Sequence, residues 1–335
     1  KKHKRSLPWR STTNPYYIWL SEIILQQTRI EQGLPYYEAF TTKFPTLKDL
    51  ATADEDAVLK LWQGLGYYSR ARNLHFTAQY IYNELNGVFP KSYAEIIKLK
   101  GIGPYTAAAI ASFAYKEPVA VVDGNVFRVL ARFFGIYDDI AVTKTRTVFQ
   151  NLANELISTK NPDLFNHAIM DFGATVCLPA NPKCNSCIFN ENCFAFLKNE
   201  VAKLPVKNKK SSVKNRYLNY LILINNNEIV IQQRTEKDIW QQLFELPLIE
   251  ILTDNEEEFF VHLSNLYPNN SIKKVTENTI KHKLSHQQLH INFYEINVSS
   301  FISNQQTSAI QDLHLYAYPI VIWNFLKDFF TLEKI

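Results

Sequence analysis

The segment KLKGIGPYTAAAI, residues 98–110, decides how the first half of the chain folds. Gly101, Ile102 and Gly103 predict a turn too tight for large side chains, and Pro104 is typical of the first position of a helix. Backbone N–H groups at the start of such a helix can bind an anion such as a phosphate. A plain turn between two helices explains the same residues, so the segment predicts the helices and leaves both interpretations of the turn open.

The chain of 335 residues is long enough for two domains, each with its own core. Apolar residues make up 46% and charged residues 20%, which is typical of a globular protein, and no run approaches the roughly 20 apolar residues of a membrane span. The first ten residues contain no apolar stretch after their charges, so we expect no secretory signal there.

Positive charge is concentrated in two places, although the net charge is only +4. Residues 1–10 carry five Lys or Arg, and residues 198–216 carry seven against one Glu. Such runs are usually solvated segments, but two of them can also follow a polyanion such as a nucleic acid.

Helical periodicity dominates the first 200 residues, and the alternation of strands appears only after them. The predicted helices are 15–30, two within 54–85 that break at Gly64–Leu65–Gly66, 104–115, 125–134, 143–158 and 163–176. The predicted elements after a basic linker at 199–216 are strands at 217–224, 228–234 and 289–298, and helices at 255–266 and 321–332. In the last of these strands Leu289, Ile291 and Phe293 alternate with His290, Asn292 and Tyr294, the period of a half-buried strand. We therefore expect a multi-domain protein, with an all-α domain at 1–198 and an α+β domain at 217–335.

All four cysteines of the chain lie between residues 177 and 193, with the spacing Cys-x6-Cys-x2-Cys-x5-Cys. This clustering is unlike a disulfide framework and indicates metal ligation by Cys177, Cys184, Cys187 and Cys193. Four thiolates in one loop can bind a zinc ion or a [4Fe–4S] cluster, and the spacing alone leaves both open.

Two acidic residues are candidates for acid–base chemistry. Asp123 precedes Gly124 and a predicted helix, where amide donors and the helix dipole favour the carboxylate; a simple N-cap is the alternative. Glu22 has Ile18 and Leu25 as helical neighbours, so it either faces solvent or lies in a dry pocket that raises its pKa. One ionised and one readily protonated carboxyl group is typical of a division of acid and base roles.

These motifs occur together, and in this order, in one known family. The turn KGIGPYTA, the following VDGNV and the cysteine loop resemble the helix-hairpin-helix DNA glycosylases of the endonuclease III superfamily, which carry a [4Fe–4S] cluster. LPWR, WLSEIILQQT and LWQGLGYYSRARNLH resemble the adenine-specific MutY branch of that superfamily. The resemblance is dense over residues 7–193 and looser through IVIQQRTEKDIWQQLFELP and IKHKLSH, where it implies a Nudix-like recognition domain.

The resemblance implies a monofunctional enzyme that hydrolyses the N-glycosidic bond of adenine mispaired with 8-oxoguanine or guanine, in base excision repair. Glu22 matches the general acid, Asp123 the carboxylate that stabilises the cationic sugar, and Asn125 the residue that supports it. Tyr105 stands where bifunctional relatives have a lysine. Since only an amine can form a Schiff base with the sugar, we expect little or no cleavage of the strand.

The same resemblance implies residues that bind DNA and its bases. The adenine pocket would be formed by Trp9, Arg10, Leu25 and His167. Contacts to DNA would come from Gln27 and Tyr67, which fill the gap left by the flipped base, and from Gly101 and Gly103 of the hairpin. The loop that reads 8-oxoguanine would be Leu284, Ser285 and His286. Three residues depart from the family: Leu284 replaces a common Phe, His167 a usual Gln or Glu, and Lys100 a usual Pro.

Three alternatives share some of these motifs. A thymine glycosylase for G·T mismatches also has Tyr in the hairpin, but it lacks the C-terminal domain and the acid that matches Glu22. A non-catalytic iron–sulfur DNA-binding protein would not need Glu22 and Asp123. A Nudix hydrolase needs a Gly-x5-Glu-x7-Arg-Glu-x2-Glu-Glu helix, and IEILTDNEEEFFVHLSNL lacks that spacing. We expect a monomer that binds double-stranded DNA at the nucleoid, in the cytoplasm and away from membranes.

Overall fold

The computed structural model describes residues 5–208, 213–251 and 255–332, so residues 1–4 and 209–212 of the two basic runs lie outside the described residues. The chain forms two compact units. The helical unit comprises Lys1–Thr52 and Asn73–Lys209, and the sheet unit comprises Ala53–Arg72 and Lys210–Ile335. The contiguous division expected from the sequence differs from this packing in one segment, Ala53–Arg72, which belongs with the sheet.

Helices form the described part of the chain up to residue 208, as predicted. They are α1 (Pro15–Ile24), α2 (Ile30–Lys43), α3 (Leu47–Ala51), α4 (Glu55–Leu61), α5 (Ser69–Glu84), α6 (Tyr93–Ile96), α7 (Pro104–Tyr115), α8 (Gly124–Phe134), α9 (Thr143–Leu156), α10 (Pro162–Thr175) and α11 (Phe194–Leu197). Short 3₁₀ turns lie at Pro8–Arg10, Cys184–Ser186 and Asn190–Asn192. None of these described helices, nor those of the sheet unit, has the length and hydropathy to cross a membrane.

The helix predicted at 15–30 is wrong at its C-terminal end, because α1 stops at Ile24. Gln27 has a φ of 57°, in the left-handed region that ends a right-handed helix. The chain turns there and restarts as α2. The start of α1 is as predicted: Pro15 occupies the first turn, and Oδ1 of Asn14 accepts a hydrogen bond of 2.9 Å from the backbone N–H of Tyr16.

The glycine turn before α7 requires a residue without a side chain. Gly101 has a φ of 78°, and a Cβ atom at this position would lie 2.6 Å from the Cβ of Asn73. Gly103 is the N-cap of α7 and Pro104 its first residue. Four alanines of α7 are buried, at positions 107, 108, 109 and 111, and their small size lets the helix lie directly against α1. The turn thereby presents the start of α7 beside the end of α1.

A close approach of two helices also fixes the start of α8. A Cβ atom on Gly173 of α10 would lie 2.7 Å from the Cβ of Asn125 in α8. Asp123 is the N-cap of α8, and its Oδ1 accepts a hydrogen bond of 2.8 Å from the N–H of Val126. The predicted N-cap role of Asp123 is therefore confirmed.

The sheet unit is built around two long parallel strands. Its elements are β1 (Lys214–Asn225), β2 (Glu228–Val230), β3 (Gln232–Gln233), β4 (Phe244–Glu245), β5 (Leu248–Ile251), α12 (Glu256–Leu266), β6 (Ile272–Lys274), β7 (Ile280–Lys283), β8 (Gln287–Asn297), β9 (Thr307–Ala309) and α13 (Ile320–Phe329). The main sheet has the order β6-β8-β1-β2-β9; β5 also pairs with β1, β7 pairs with β8, and β3 and β4 form a separate pair. The strand predicted at 228–234 is therefore split at Ile231, which is fully buried.

The alternating burial of β8 holds from Leu289 to Phe293 and ends at Tyr294, where both faces of the strand are covered. Phe293 packs on one face, where its ring stacks on Phe325 of α13 at 3.6 Å. Tyr294, predicted on the open face, is 1% exposed because Phe259 of α12 covers it, with ring centroids 5.1 Å apart. The fold class is confirmed: a helical domain is followed by an α+β domain.

Several hydrogen bonds attach the segment Ala53–Arg72 to the rest of the sheet unit. Lys60 Nζ donates to the carbonyl of Tyr316 at 2.9 Å, and Arg72 Nη1 donates to the carbonyl of Gln241 at 2.7 Å. The Tyr68 hydroxyl donates to the carbonyl of Tyr318 at 3.4 Å. Burial lowers the pKa of Lys60 to about 8, because the apolar surroundings disfavour its charged form.

Candidate active site

One cavity of about 770 Å³ in the helical unit brings together most of the residues that the sequence singles out. It lies where the end of α1, the starts of α7 and α8, and one side of α10 meet. The predicted site residues that line it are Trp9, Arg10, Glu22, Leu25, Gln27, Gly103, Tyr105, Asp123, Asn125 and His167. These residues come from five separate stretches of sequence, so the fold alone creates the constellation.

Glu22 is buried in this cavity, with 9% of its surface exposed. Burial raises the pKa of Glu22 to about 7, and the negative charge of Asp123 adds to the rise. A hydrogen bond from the Tyr105 hydroxyl and the positive charge of Arg10 act in the opposite direction without cancelling it. Near neutral pH the carboxyl group can therefore both donate and accept a proton.

Asp123 is held by a chain of hydrogen bonds. Asn125 Nδ2 donates to Asp123 Oδ2 at 2.7 Å, and Arg128 Nη2 donates to Asn125 Oδ1 at 2.8 Å. Arg128 Nη2 also donates a hydrogen bond to the carbonyl of Gly173 at 2.7 Å. Arg128 is buried, and its rigid donor fork orients the Asn125 amide, which in turn orients the carboxylate.

Tyr105 follows Pro104 in the first turn of α7. Burial and the neighbouring charges of Glu22 and Asp123 raise the pKa of Tyr105 well above its ordinary value, so its hydroxyl remains a donor. Gly101, in the turn just before, is not among the residues that line the cavity, whereas Gly103 is.

The wall of the cavity combines aromatic and charged side chains. Trp9 is buried with its ring edge-on to Tyr37, with centroids 5.1 Å apart. His167 stacks on Phe113 with centroids 4.0 Å apart. Arg10 forms a two-fold ion pair with Asp171, through contacts of 2.7 and 3.0 Å.

Two supporting residues, Arg128 and Asp171, were not predicted from the sequence. Arg128 is the third residue after Asn125 in α8, which places both on one side of that helix. Asp171 is the fourth residue after His167 in α10, so the same spacing could have indicated it.

Gln27 and Tyr67, predicted to act together, are in different units. Gln27 is exposed at the rim of the helical cavity, and the adjacent Gln26 donates from Nε2 to Thr106 Oγ1 at 3.2 Å. Tyr67 lies in the sheet unit, is 47% exposed, and has a φ of 48°, an uncommon conformation for a bulky residue.

Tyr67 shares a second cavity, of about 640 Å³, with the predicted lesion loop Leu284, Ser285 and His286. The hydroxyl groups of Tyr67 and Ser285 are hydrogen-bonded to each other. The loop joins β7 to β8 in a turn that is closed by the N–H of Leu284 and the carbonyl of Gln287 at 2.8 Å. The sheet unit therefore places one predicted DNA wedge directly against the predicted lesion reader.

The four cysteines line a third, small cavity in the helical unit, of about 40 Å³. Arg132 Nη1 lies 3.4 Å from Cys177 Sγ, and the N–H of Phe189 lies 3.4 Å from Cys187 Sγ. N–H donors directed at sulfur suit thiolate ligands of a metal cluster, so the donor set fits one. Within residues 5–208, 213–251 and 255–332, no three or more His, Cys, Asp or Glu side chains are arranged as a ready-made metal site.

Comparison with known protein families assigns both halves of the chain. Residues 20–155 match the model of the HhH-GPD superfamily of base excision DNA repair proteins. Residues 219–328 match the NUDIX domain model.

Two solved structures have a similar fold. A thermostable thymine-DNA glycosylase is 30% identical, covers 58% of this chain and 89% of its own, and has a TM-score of 0.54. A non-covalent endonuclease III–DNA complex is 24% identical, covers 56% of this chain and 86% of its own, and has a TM-score of 0.50, which shows a shared fold.

Curated relatives extend over nearly the whole chain. An adenine DNA glycosylase of Buchnera aphidicola subsp. Baizongia pistaciae (strain Bp) is 39% identical over 316 residues, which are 93% of this chain and 88% of that protein. The adenine DNA glycosylase of Mus musculus is 42% identical over 205 residues, 58% of this chain and 40% of that protein. Because it is 39% identical to the Buchnera aphidicola protein over 93% of its length, the chain belongs to the adenine DNA glycosylase family.

Proposed function

We propose that the protein is a monofunctional DNA N-glycosylase that removes adenine paired with 8-oxoguanine or guanine. The single observation that carries the proposal is the buried Glu22, hydrogen-bonded to Tyr105 in the same cavity as Asp123. A general acid works best when its pKa is near the operating pH, and the pKa of Glu22 is about 7.

In this proposal Glu22 protonates N7 of the flipped adenine, which makes the base a better leaving group. The N-glycosidic bond then breaks and its electron pair goes to the base, which leaves a cationic sugar. A water molecule adds to the anomeric carbon, and the Glu22 carboxylate accepts the proton that this water loses. General acid–base help of this kind is typically worth about 10²–10⁴-fold in rate.

Asp123 stabilises the cationic sugar that forms as the bond breaks. Hydrolysis of a glycosidic bond passes through such an oxocarbenium-like state, and a fixed carboxylate is the standard stabiliser. The hydrogen bonds from Asn125 and the N–H of Val126 hold both carboxylate oxygens before the reaction begins. A preorganised charge needs no rearrangement when the positive charge develops.

Tyr105 restricts the enzyme to removal of the base. A phenol cannot condense with the aldehyde of the opened sugar, so no Schiff base forms and the strand stays intact. Its role is to hold the Glu22 carboxyl group near the sugar through the observed hydrogen bond.

The remaining cavity residues would receive the base after it leaves the duplex. Flipping costs a few kcal/mol, which contacts to the extruded base and filling of the gap offset. Trp9, Arg10, Leu25 and His167 would line the adenine pocket, and Gln27 would enter the gap. The N–H groups at Gly101 and Gly103 would bind a backbone phosphate.

The opposite base would be examined by the sheet unit. 8-Oxoguanine carries an N7–H that guanine lacks, and the Ser285 hydroxyl can accept it as a hydrogen bond. Leu284 and His286 flank that hydroxyl, and Tyr67 would fill the stack beside it. One such hydrogen bond is worth about 0.5–1.5 kcal/mol, up to about tenfold in discrimination.

Cys177, Cys184, Cys187 and Cys193 would hold a [4Fe–4S] cluster. Such a cluster would cross-link the loop 177–193 internally, and Arg132 of α8 contacts the same loop at Cys177 Sγ and at the carbonyl of Leu178. No step of base removal requires it. As an enzyme that acts on DNA, the protein would work as a monomer at the nucleoid.

The test is base release from defined duplexes. Purified protein is incubated in excess over duplexes that contain A·8-oxoguanine, A·G or T·G, and alkali then cuts the abasic strand. Release of adenine alone supports the proposal, release of thymine favours the thymine glycosylase, and binding without release favours a non-catalytic protein.

A further inference from the structure

We propose that Asp171 is a positioning residue that fixes Arg5 and Arg10, and with them the chain segment between these two arginines, as a wall of the cavity that contains Glu22. This inference rests on the proposed function, because it assigns Asp171 a part in that reaction without contact to the substrate.

A single carboxylate binds both ends of the segment. Arg10 Nη1 lies 2.7 Å from Asp171 Oδ2 and Arg10 Nη2 lies 3.0 Å from Oδ1. Arg5 Nε lies 2.6 Å from Oδ1, and the backbone N–H of Arg5 lies 3.3 Å from Oδ2. Each carboxylate oxygen therefore accepts two hydrogen bonds, which fills the capacity that such a group has for strong donors.

The arrangement is buried, so it is not an incidental surface ion pair. The side chains of Arg10 and Asp171 are 6% and 5% exposed, and that of Arg5 is 28% exposed. Although burial alone would raise the pKa of Asp171, the hydrogen bonds and charges of Arg10 and Arg5 lower it below its ordinary value. The carboxylate therefore stays ionised, and a buried ionised group of this kind holds its partners firmly.

The segment that Asp171 fixes faces the reaction. Arg5, Leu7, Trp9 and Arg10 all line the cavity. In the described part of the chain, Arg5 and Arg10 form no hydrogen bond to α10 other than those to Asp171, so without Asp171 the wall would lose its attachment to this helix at both ends.

Asp171 also offsets the charge of Arg10 near the acid. The groups that act on Glu22 are the Tyr105 hydroxyl, the Asp123 carboxylate and the Arg10 guanidinium, and the last of these lowers the pKa of Glu22. Asp171, and not Glu22, neutralises the positive charge of Arg10. Removing the negative charge of Asp171 leaves Arg10 uncompensated beside Glu22, which should lower the pKa of Glu22 further.

The decisive experiment measures the titration of Glu22 without DNA. Protein labelled with ¹³C at the glutamate side-chain carboxyl is titrated by NMR, and the Glu22 signal is assigned from its absence in E22Q. In D171N we expect the Glu22 midpoint to fall by about one unit, the lower end of the effect of a neighbouring charge. At pH 7 such a shift leaves about fivefold less protonated acid, and single-turnover excision should fall by a similar factor.

Asp163 provides a matched control on the same helix. It pairs with the exposed Lys116 and does not line the cavity, so D163N should leave both the Glu22 midpoint and excision unchanged. Hydrogen exchange reports the wall directly: amides 5–12 should exchange faster in D171N and not in D163N. If D171N fails to fold, R10Q is measured in its place. The Glu22 midpoint should rise in R10Q, because the positive charge of Arg10 that lowers the pKa of Glu22 is gone.

An unchanged Glu22 midpoint in folded D171N, or unchanged exchange of amides 5–12, would overturn the inference. Both measurements are independent of activity. Failure of the wild-type protein to release adenine would therefore refute the proposed function while the role of Asp171 is still decided.

Discussion

The hydroxyl of Tyr105 donates a hydrogen bond to the carboxyl group of Glu22, across the contact between the first turn of α7 and the last turns of α1. The glycine turn brings Tyr105 to this place, and the burial of α1 leaves only 9% of Glu22 exposed. The hydrogen bond between Tyr105 and Glu22 therefore depends on both the glycine turn before α7 and the apolar packing of α1.

The burial of Glu22 should make folding stability depend on pH. Because the pKa of Glu22 is raised from 4.5 to about 7, the folded protein binds more protons than the unfolded chain between these values. This contribution to stability is fully present below pH 4.5 and is lost as the pH rises to about 7. E22Q cannot ionise, so it should be more stable than wild type at pH 8, by up to about 3 kcal/mol.

Denaturant unfolding of both proteins at pH 4.5 and pH 8 checks this expectation. The exposed Glu38 offers a control, since E38Q should not change the difference between the two pH values. Equal stability of E22Q and wild type at pH 8 would show that Glu22 is not buried as described.

Removal of the Asn125 amide should slow base removal without weakening DNA binding. N125A takes one hydrogen bond from Asp123 and leaves a donor of the buried Arg128 without its acceptor. A hydrogen bond to a charged group is worth about 1.5–3 kcal/mol, so its loss at Asp123 should lower the single-turnover rate by about 10–100-fold. The exposed Asn192 in the cysteine loop provides the control variant, N192A. A rate within twofold of wild type would show that Asp123 does not need this support.

Local sequence signals predicted those parts of the fold that depend on neighbouring residues. The helix predicted at 104–115 is observed as Pro104–Tyr115, because Gly103 and Pro104 define its start and Lys116 ends it in the left-handed conformation. The early end of α1 was not predicted, since Gln27 adopts a φ that its residue type does not favour.

Local sequence signals could not predict contacts between residues that are far apart in the sequence. The packing of Ala53–Arg72 with the sheet depends on pairs such as Lys60 and Tyr316, which are 256 positions apart. The ion pair of Arg10 with Asp171 spans 161 positions. The resemblance to a family supplied the identity of the site residues, but neither Arg128 nor Asp171 belongs to the quoted motifs.

The hydrogen bond between Tyr67 and Ser285 should affect only the recognition of the base opposite adenine. Y67F keeps the aromatic ring for stacking and removes the hydroxyl that contacts Ser285. We expect Y67F and S285A each to lower excision from A·8-oxoguanine relative to A·G by up to about tenfold, the value of one hydrogen bond. The double variant should lose no more than the larger single effect, because both changes break the same contact.

The measurement is the ratio of single-turnover rates on the two duplexes, with S69A in the same cavity as a control. Fully additive losses, or an unchanged ratio in S285A, would show that this pair does not read the lesion.

Loss of one cysteine should remove the bound iron. Wild-type protein prepared without oxygen should be yellow-brown and contain about four iron atoms per chain. C187S should lose the colour and most of the iron, and its DNA affinity should fall because the loop 177–193 is no longer cross-linked. A colourless wild-type protein with one zinc ion per chain would contradict the cluster.

Single-turnover release of adenine from an A·8-oxoguanine duplex tests directly whether Glu22 is the general acid. Wild-type protein should release free adenine and leave an abasic strand that breaks only after alkali, and E38Q should match it. E22Q should bind the duplex as tightly and excise at least about 100-fold more slowly, because it has no proton to donate. Excision by E22Q at the wild-type rate would show that Glu22 is not the general acid. Strand cleavage without alkali would show that the enzyme is not monofunctional.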